Sequence, residues 1–431
     1  MIRMRISDWK KIDYEKLDYN MRWLEPSGTS FMQMHSIHAY PAKFPAFLAS
    51  AALKYAEIEG VRLDKVADIF CGCGTTALEA KRIGAGFWGC DINPVATLIT
   101  RVKTTDYNIK DLEKYFNNID ALWEKSVLRN RNYYDQAMSR LQYWFDPITY
   151  NRLFELYEII NSVTGNDSRY NEAFLCLFSA ILKNCSMWLQ KSIKPQIDPK
   201  KKRVDVFKLF TDKYHQFLKA VLEINKKGFK TRNEIVIVQE NFLNTRDNPN
   251  VNLIVSSPPY VTSYEYADLH QLSSLWLKYA DDYRTLRQGS IGSMYNTAEW
   301  DNEKALLNQT ASSIVDELNN KGCTPAKIKS ISRYYSEMQV AIEKCSNMLT
   351  SGGMAIFVIG DSELKKVELN NSQHLIECMS DAGFSDIRIE KRQVSKGICI
   401  PYRDENGRFT SSKKSKNEIY HEEYVVSGRL A

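Results

Sequence analysis

Ser256-Ser257-Pro258-Pro259-Tyr260 gathers the residue types in this chain best suited to chemistry. It follows the apolar run 251–255 (VNLIV), so it stands where a buried strand ends and a loop begins. Two successive prolines fix the backbone and offer no N–H. Their carbonyls remain available as acceptors, with Ser257 and Tyr260 set beside them. A rigid loop with acceptors, few donors and an aromatic face can grip a planar ring through an exocyclic amino group. A Pro-rich turn after a strand is the plainer reading of the same residues, and Pro-Pro alone marks many loops.

A second cluster suits a ligand rather than a reaction. Asp68-Ile69-Phe70-Cys71-Gly72-Cys73-Gly74-Thr75-Thr76 reads as a strand, a tight G-x-G turn and a helix start. Glycines let backbone approach a ligand closely, and a helix N-terminus favours negative charge. Asp91 ends the next strand, 17 residues after Gly74, where an acid can accept both ribose hydroxyls. The third glycine of the dinucleotide fingerprint is missing, because Ala77 and Leu78 follow the threonines. A small zwitterionic adenosine ligand therefore fits better than a pyrophosphate, and S-adenosylmethionine is such a ligand. Asp68 would take its ammonium, the turn its carboxylate end, and Ile92 would lie against its adenine. The plainer roles are a capping acid for Asp68 and a core side chain for Ile92.

These clusters need elements to hold them. The chain has 431 residues, 44% hydrophobic and 26% charged, enough for a large core in a globular protein. No apolar run approaches bilayer-spanning length, and the N-terminus lacks the apolar stretch of a secretory signal. The nine cysteines form no C-x-x-C pair, so they read as reduced thiols of a cytoplasmic protein with no structural zinc. A net charge of +6 permits a nucleic-acid partner without requiring one.

Periodicity predicts a helix over 41–57, a strand over 65–70, a helix over 77–83 and a strand over 87–92. This is the opening of a doubly wound Rossmann-like α/β sheet. Within 105–230 apolar residues recur at helical spacing, which predicts a large helical insertion. Strands are predicted at 234–239, 251–255, 354–359, 386–393 and 423–427. Helices are predicted at 266–280, 331–349 and 373–382, with Ser351-Gly352-Gly353 stopping the second of these. The implied division is 1–104 and 231–279 as catalytic parts, 105–230 and 280–330 as insertions, and 331–431 as the closing part.

The strand-D-x-F-x-G-x-G-T pattern, the acid after the second strand and the S-P-P-Y loop together resemble the amino-group DNA methyltransferases. His38-Ala39-Tyr40-Pro41-Ala42-Lys43-Phe44-Pro45 is similar to that family's N-terminal cofactor segment. Serine at the head of S-P-P-Y is typical of its cytosine-N4 branch. The resemblance covers about 35–100, 231–279 and 331–431, and it implies a class I methyltransferase fold. It also implies S-adenosylmethionine as cofactor, bound by Tyr40, Lys43, Phe44, Asp68, Phe70, Gly72, Gly74, Thr75, Asp91 and Ile92. The family usually has an acid near position 241 that meets the adenine amino group. Here Gln239-Glu240-Asn241 fill that place, and Asn241, aligning best, can accept the same bond through its amide oxygen.

In such a reaction the amino lone pair must localise as nitrogen becomes pyramidal. Acceptors on the two N–H bonds, Ser257 Oγ and the Pro258 carbonyl, would favour this in the transition state. Pro259 completes the loop and Tyr260 would stack on the extruded base. No metal and no covalent nucleophile are needed. Double-stranded DNA is the implied partner, a companion restriction endonuclease is suggested, and a monomer is favoured. Adenine-N6 methylation is the nearest rival, followed by RNA amino-group methylation. A nicotinamide dehydrogenase and an inactive nucleic-acid binder are further alternatives.

Two basic stretches are candidates for phosphate contact: Lys194 with Lys200, Lys201, Lys202 and Arg203, and a run from Arg392 through Lys396, Arg403, Arg408, Lys413, Lys414 and Lys416. Arg284 and Arg287 are candidates for base contact. A solvated face is the plain reading of any charge run.

Overall fold

The computed structural model describes residue 12 and residues 14–24, 32–127, 136–229, 233–261, 265–296, 307–394 and 422–431. Its strands are β1 (Lys65–Asp68), β2 (Gly86–Asp91), β3 (Ile235–Gln239), β4 (Val251–Ser256), β5 (Leu349–Ile359), β6 (Ser362–Leu364), β7 (Val367–Leu369), β8 (Phe384–Gln393) and β9 (Glu422–Leu430). The helices begin with α1 (Ala46–Ile58), α2 (Thr75–Arg82), α3 (Pro94–Thr104), α4 (Ile109–Glu124), α5 (Gln136–Trp144), α6 (Pro147–Thr164), α7 (Ser168–Cys185) and α8 (Val206–Lys227). They continue with α9 (Tyr266–Leu269), α10 (Gln271–Trp276), α11 (Gln309–Asn320), α12 (Pro325–Met348) and α13 (Asn371–Asp381).

The central sheet has the order β3-β2-β1-β4-β5-β9-β8. Its pairings are parallel except those of β9, which runs antiparallel to both β5 and β8. The strand order reverses between β1 and β4, so the loops leaving their carboxyl ends diverge and open a crevice there. Both sequence clusters that carry chemistry leave the sheet at that point.

Side chains alternate across the sheet as the pleat requires. Val66, Phe87, Leu253, Val255 and Ile356 pack with α1 and α2, whereas Ala67, Trp88, Ile254, Ala355 and Phe357 pack with α11, α12 and α13. Burial on both faces explains why these strands read as unbroken apolar runs. A further layer holds α4 to α8, whose core is continuous with Val95, Leu98, Ile99 and Val102 of α3 and Leu272, Leu275 and Trp276 of α10. The helical periodicity of 105–230 is therefore realised, and its helices share one core with the cofactor half. Among the described residues, no helix is long and apolar enough to cross a membrane.

Several boundaries differ from expectation. Strand β1 stops at Asp68, and Ile69 and Phe70 enter the turn. The helix expected over 266–280 breaks at His270, which leaves the helical region (φ −106°, ψ 10°), and α10 ends at Trp276. Ser351-Gly352-Gly353 does not stop α12: that helix ends at Met348, and the glycines lie inside β5. Gly352 has φ +75°, and a Cβ on Gly353 would stand 2.8 Å from the Thr350 carbonyl oxygen, so the pair makes an irregular strand start. Helix α12 also begins earlier than expected, at Pro325 after Thr324.

Candidate active site

The Gly-rich turn is held from every side. Gly72 and Gly74 adopt φ +48° and +73°, conformations that exclude most side chains. A Cβ on Gly74 would stand 2.6 Å from Thr100 Cγ2, so α3 packs directly on the turn. Thr100 Oγ1 donates to the Gly72 carbonyl at 2.9 Å, and the buried Lys103 Nζ donates to the Cys73 carbonyl at 2.7 Å. Gly74 leads into α2, whose first hydroxyl, Thr75 Oγ1, is buried without a hydrogen-bond partner among the described residues.

Two carboxylates flank this turn. Asp91 Oδ2 accepts the Gly72 N–H at 2.8 Å, and Asp91 Oδ1 accepts the Asn93 N–H at 2.8 Å. Asp68 Oδ1 accepts Ser256 Oγ at 2.6 Å and the Phe70 N–H at 3.1 Å. Burial pushes both carboxyls up to about 6, against the lowering effect of these hydrogen bonds. No lysine or arginine of the described residues pairs with either carboxylate, so a ligand ammonium beside Asp68 would meet a group that gains by ionising. S-adenosylmethionine fits this set: a backbone cradle that a side chain would fill, an orphaned hydroxyl and two buried acids. Tyr40, Lys43, Gly72, Gly74, Asp68, Thr75 and Asp91 would hold it.

The 38–45 segment lies against the cradle. A Cβ on Gly72 would be 3.5 Å from Tyr40 Cε1. The Tyr40 ring stacks on His270, with centroids 4.8 Å apart. Asn93 Nδ2 stands 2.9 Å from His270 Nδ1, so Asn93, Tyr40 and His270 form one wall. Burial lowers the His270 imidazole to about 4, which keeps it neutral. Lys43 Nζ donates to the His35 carbonyl at 3.1 Å. Phe44 packs into the core beside α1, and Phe70 meets Phe242 edge to face.

On the far side of Asp91 the chain closes over Ile92 and Asn241. Asn241 Oδ1 accepts the Leu243 N–H at 2.9 Å, and its Nδ2 donates to the Gly289 carbonyl at 2.9 Å. A Cβ on Gly289 would stand 2.9 Å from Ile92 Cδ1. Gly289 thus contributes a wall beside Ile92 and Asn241, where adenine is expected. Nothing in the spacing of 280–296 marks Gly289 for that place.

The Ser-Pro-Pro-Tyr loop leaves β4 beside the cradle. Ser257 Oγ donates to the Val358 carbonyl at 3.1 Å. With its proton so directed, the oxygen keeps lone pairs for an incoming N–H. The Pro259 carbonyl accepts from Tyr334 at 2.8 Å, and Tyr260 donates to Glu423 Oε1 at 2.8 Å. Sequence reasoning named Ser256 without a role of its own and did not single out Tyr334, His270 or Glu423, because each acts through a partner far away in the chain.

The basic candidates divide. Lys200 and Lys202 are exposed. Lys201 Nζ is committed to the Lys183 and Trp188 carbonyls at 2.8 and 2.9 Å. Arg203 reaches Asp146, the N-cap of α6. Lys194 is exposed on the same α7–α8 connection. Arg284 pairs with Asp282, and Arg287 pairs with Asp268 between the Tyr283 and Tyr295 rings. Arg392 is buried on β8. Lys396, Arg403, Arg408, Lys413, Lys414 and Lys416 lie outside the described residues.

Comparison with known proteins adds a family match and several relatives. Residues 1–101 match the family model N6_N4_Mtase, described as DNA methylase. The chain is 21% identical over 384 residues to the type II methyltransferase M.MvaI of Kocuria varians, covering 82% of this chain and 83% of that protein. It is 24% identical over 263 residues to M.BsoBI of Geobacillus stearothermophilus, covering 53% and 50% of the two chains. It is 33% identical over 105 residues to M.MjaII of Methanocaldococcus jannaschii, covering 23% and 19%.

Proposed function

Taking the chain as an amino-group DNA methyltransferase, on the family match of its first 101 residues and its type II relatives, we propose that it methylates the N4 amino group of cytosine. The target is a specific site in duplex DNA, S-adenosylmethionine is the methyl donor, and the base is turned out of the helix to be reached. The observation that carries this is the placement of Ser257-Pro258-Pro259-Tyr260 at the end of β4, beside the cradle at the end of β1, with Ser256 bonded to Asp68.

S-adenosylmethionine supplies an electrophilic methyl group and departs as a neutral thioether. The chain's residues supply orientation. Ser257 Oγ and the Pro258 carbonyl accept the two amino hydrogens and favour a pyramidal nitrogen, whose lone pair forms the new N–C bond as the S–C bond breaks. These bonds strengthen as nitrogen becomes positive, so they act mainly on the transition state. Tyr260 stacks on the base. The product amine then loses its proton to solvent. Asp68 and Asp91 hold the ammonium and ribose ends, and the Ile92, Asn241 and Gly289 walls flank the adenine.

Duplex DNA is the partner. Lys194, Lys200, Lys202 and the basic stretch with Arg403 and Arg408 meet phosphates. The helices of 105–230 read bases, with Arg284 and Arg287 beside them. The chain acts in the cytoplasm as a monomer, and the type II naming of its relatives supports a companion endonuclease for the same site. Transfer of labelled methyl from S-adenosylmethionine to duplex DNA, followed by digestion to nucleosides, tests the assignment. N4-methylcytosine is the expected product. N6-methyladenine as the sole product would move the chain to the sister reaction, and label on transfer RNA but not DNA would move it to RNA.

A further inference from the structure

Tyr260 is braced by residues outside every motif of the catalytic loop. Its hydroxyl donates to Glu423 Oε1 at 2.8 Å, near the start of β9. The second oxygen of Glu423 pairs with Arg392 Nη1 at 2.9 Å. Arg392 lies on β8 with 1% of its surface exposed, and its guanidinium sits 5.6 Å from the centre of the Phe47 ring. A Cβ on Gly360 would stand 3.0 Å from Tyr260 Cε2, so the glycine after β5 gives the ring its space. The backbone on the N-terminal side is pinned as well, through Tyr334 and the Pro259 carbonyl.

We propose that Glu423 and Arg392 are positioning residues for Tyr260, and that they raise the rate of methyl transfer by fixing the ring and enriching its face in electrons. This rests on the amino-methylation reading. A phenol that donates to a carboxylate gains electron density in its ring. As the N–C bond forms, positive charge develops on the target nitrogen and spreads into the base. An electron-rich aromatic face attracts that charge, and the attraction is stronger in the transition state than with the neutral base. Arg392 holds the Glu423 carboxylate toward Tyr260. The two supporting residues sit on neighbouring antiparallel strands, β8 and β9, which gives that C-terminal pair a part in catalysis.

The test compares wild type, Tyr260→Phe, Glu423→Ala, Glu423→Gln and the double variant Tyr260→Phe/Glu423→Ala. Single-turnover methyl transfer is measured alongside S-adenosylmethionine and DNA affinity. Losing one hydrogen bond to a charged group should slow transfer about tenfold in Tyr260→Phe and in Glu423→Ala. The double variant should be no slower than the slower single variant, because both substitutions remove the same hydrogen bond. Glu423→Gln should recover only part of the rate, since its amide oxygen still accepts the phenol proton but carries no charge to enrich the ring. Cofactor affinity should not change. Additive losses in the double variant, or full rate in Tyr260→Phe, would overturn the proposal. If Glu423→Ala fails to fold, Tyr260→Phe and Glu423→Gln still decide it. Wild type that binds S-adenosylmethionine but transfers no methyl to DNA would instead refute the underlying function.

Discussion

Ser256 Oγ donates to Asp68 Oδ1 at 2.6 Å, joining the strand that launches the Ser-Pro-Pro-Tyr loop to the strand that launches the Gly-rich turn. The two loops are therefore not positioned independently. Ser256→Ala should remove a hydrogen bond that favours the ionised form of Asp68 and raise that carboxyl further. Cofactor affinity near neutral pH should fall about tenfold, the usual cost of a hydrogen bond to a charged group. Calorimetric titration with S-adenosylmethionine measures this, and unchanged affinity would mean that the bond only staples two strands.

The raised acids give a second expectation. Asp68 and Asp91 titrate near 6 in the free protein, where ordinary aspartates titrate at 3.8. As pH falls through 6 they take up protons, and Asp68 loses the charge that an ammonium requires. Cofactor affinity should decline below pH 6, by about tenfold per unit for each carboxylate that must ionise. The stability of the free protein should respond in the opposite sense. A folded-state pKa above the unfolded value means that these groups destabilise the fold less as pH falls from above 6 toward 4. Binding and thermal unfolding measured from pH 5 to 8, with Asp68→Asn as comparison, separate the two effects.

Gly289 supplies a third. A Cβ there would meet Ile92 Cδ1 at 2.9 Å, at a backbone φ of +81°. Gly289→Ala should weaken S-adenosylmethionine binding about tenfold or more if the wall shifts by an ångström. Gly322→Ala is the control for backbone strain alone, because Gly322 has φ +68° with nothing within 4 Å of its Cβ position. Equal cofactor affinity in the two variants would remove Gly289 from the site.

On the α7–α8 connection, charge should matter only where it is uncommitted. Replacing Lys200 and Lys202 with glutamine should reduce DNA affinity at all sequences alike. The slope of log affinity against log salt should drop by about 0.9 for each phosphate no longer neutralised. Lys201→Gln should act differently, by loosening the connection that its Nζ ties to the Lys183 and Trp188 carbonyls. A melting temperature lowered for Lys201→Gln alone is the distinguishing result.

The strands and both loops of the site were legible because they are local. Apolar runs buried on two faces and glycines at positive φ leave direct marks in sequence. The partners that steady the site were not. Tyr260 and Glu423 are 163 residues apart and Ser256 and Asp68 are 188 apart, and no periodicity couples such pairs. Glycine misled at 351–353, since a strand irregularity and a helix stop use the same residue. The β6–β7 hairpin passed unnoticed because its turn uses Lys365 and Lys366 at φ +53° and +63°, positions where a hairpin usually announces itself with asparagine or glycine. The ion pairs of Arg284 with Asp282 and of Arg287 with Asp268 are likewise set by the fold and leave no periodic mark in the sequence.

Modification-detecting sequencing of DNA from cells expressing this chain, beside cells expressing Ser257→Ala, tests the central claim most directly. The expected result is N4-methylcytosine at one recurrent sequence, present with the wild type and absent with the variant. Methylation of adenine alone, or the same cytosine mark with Ser257→Ala, would contradict it.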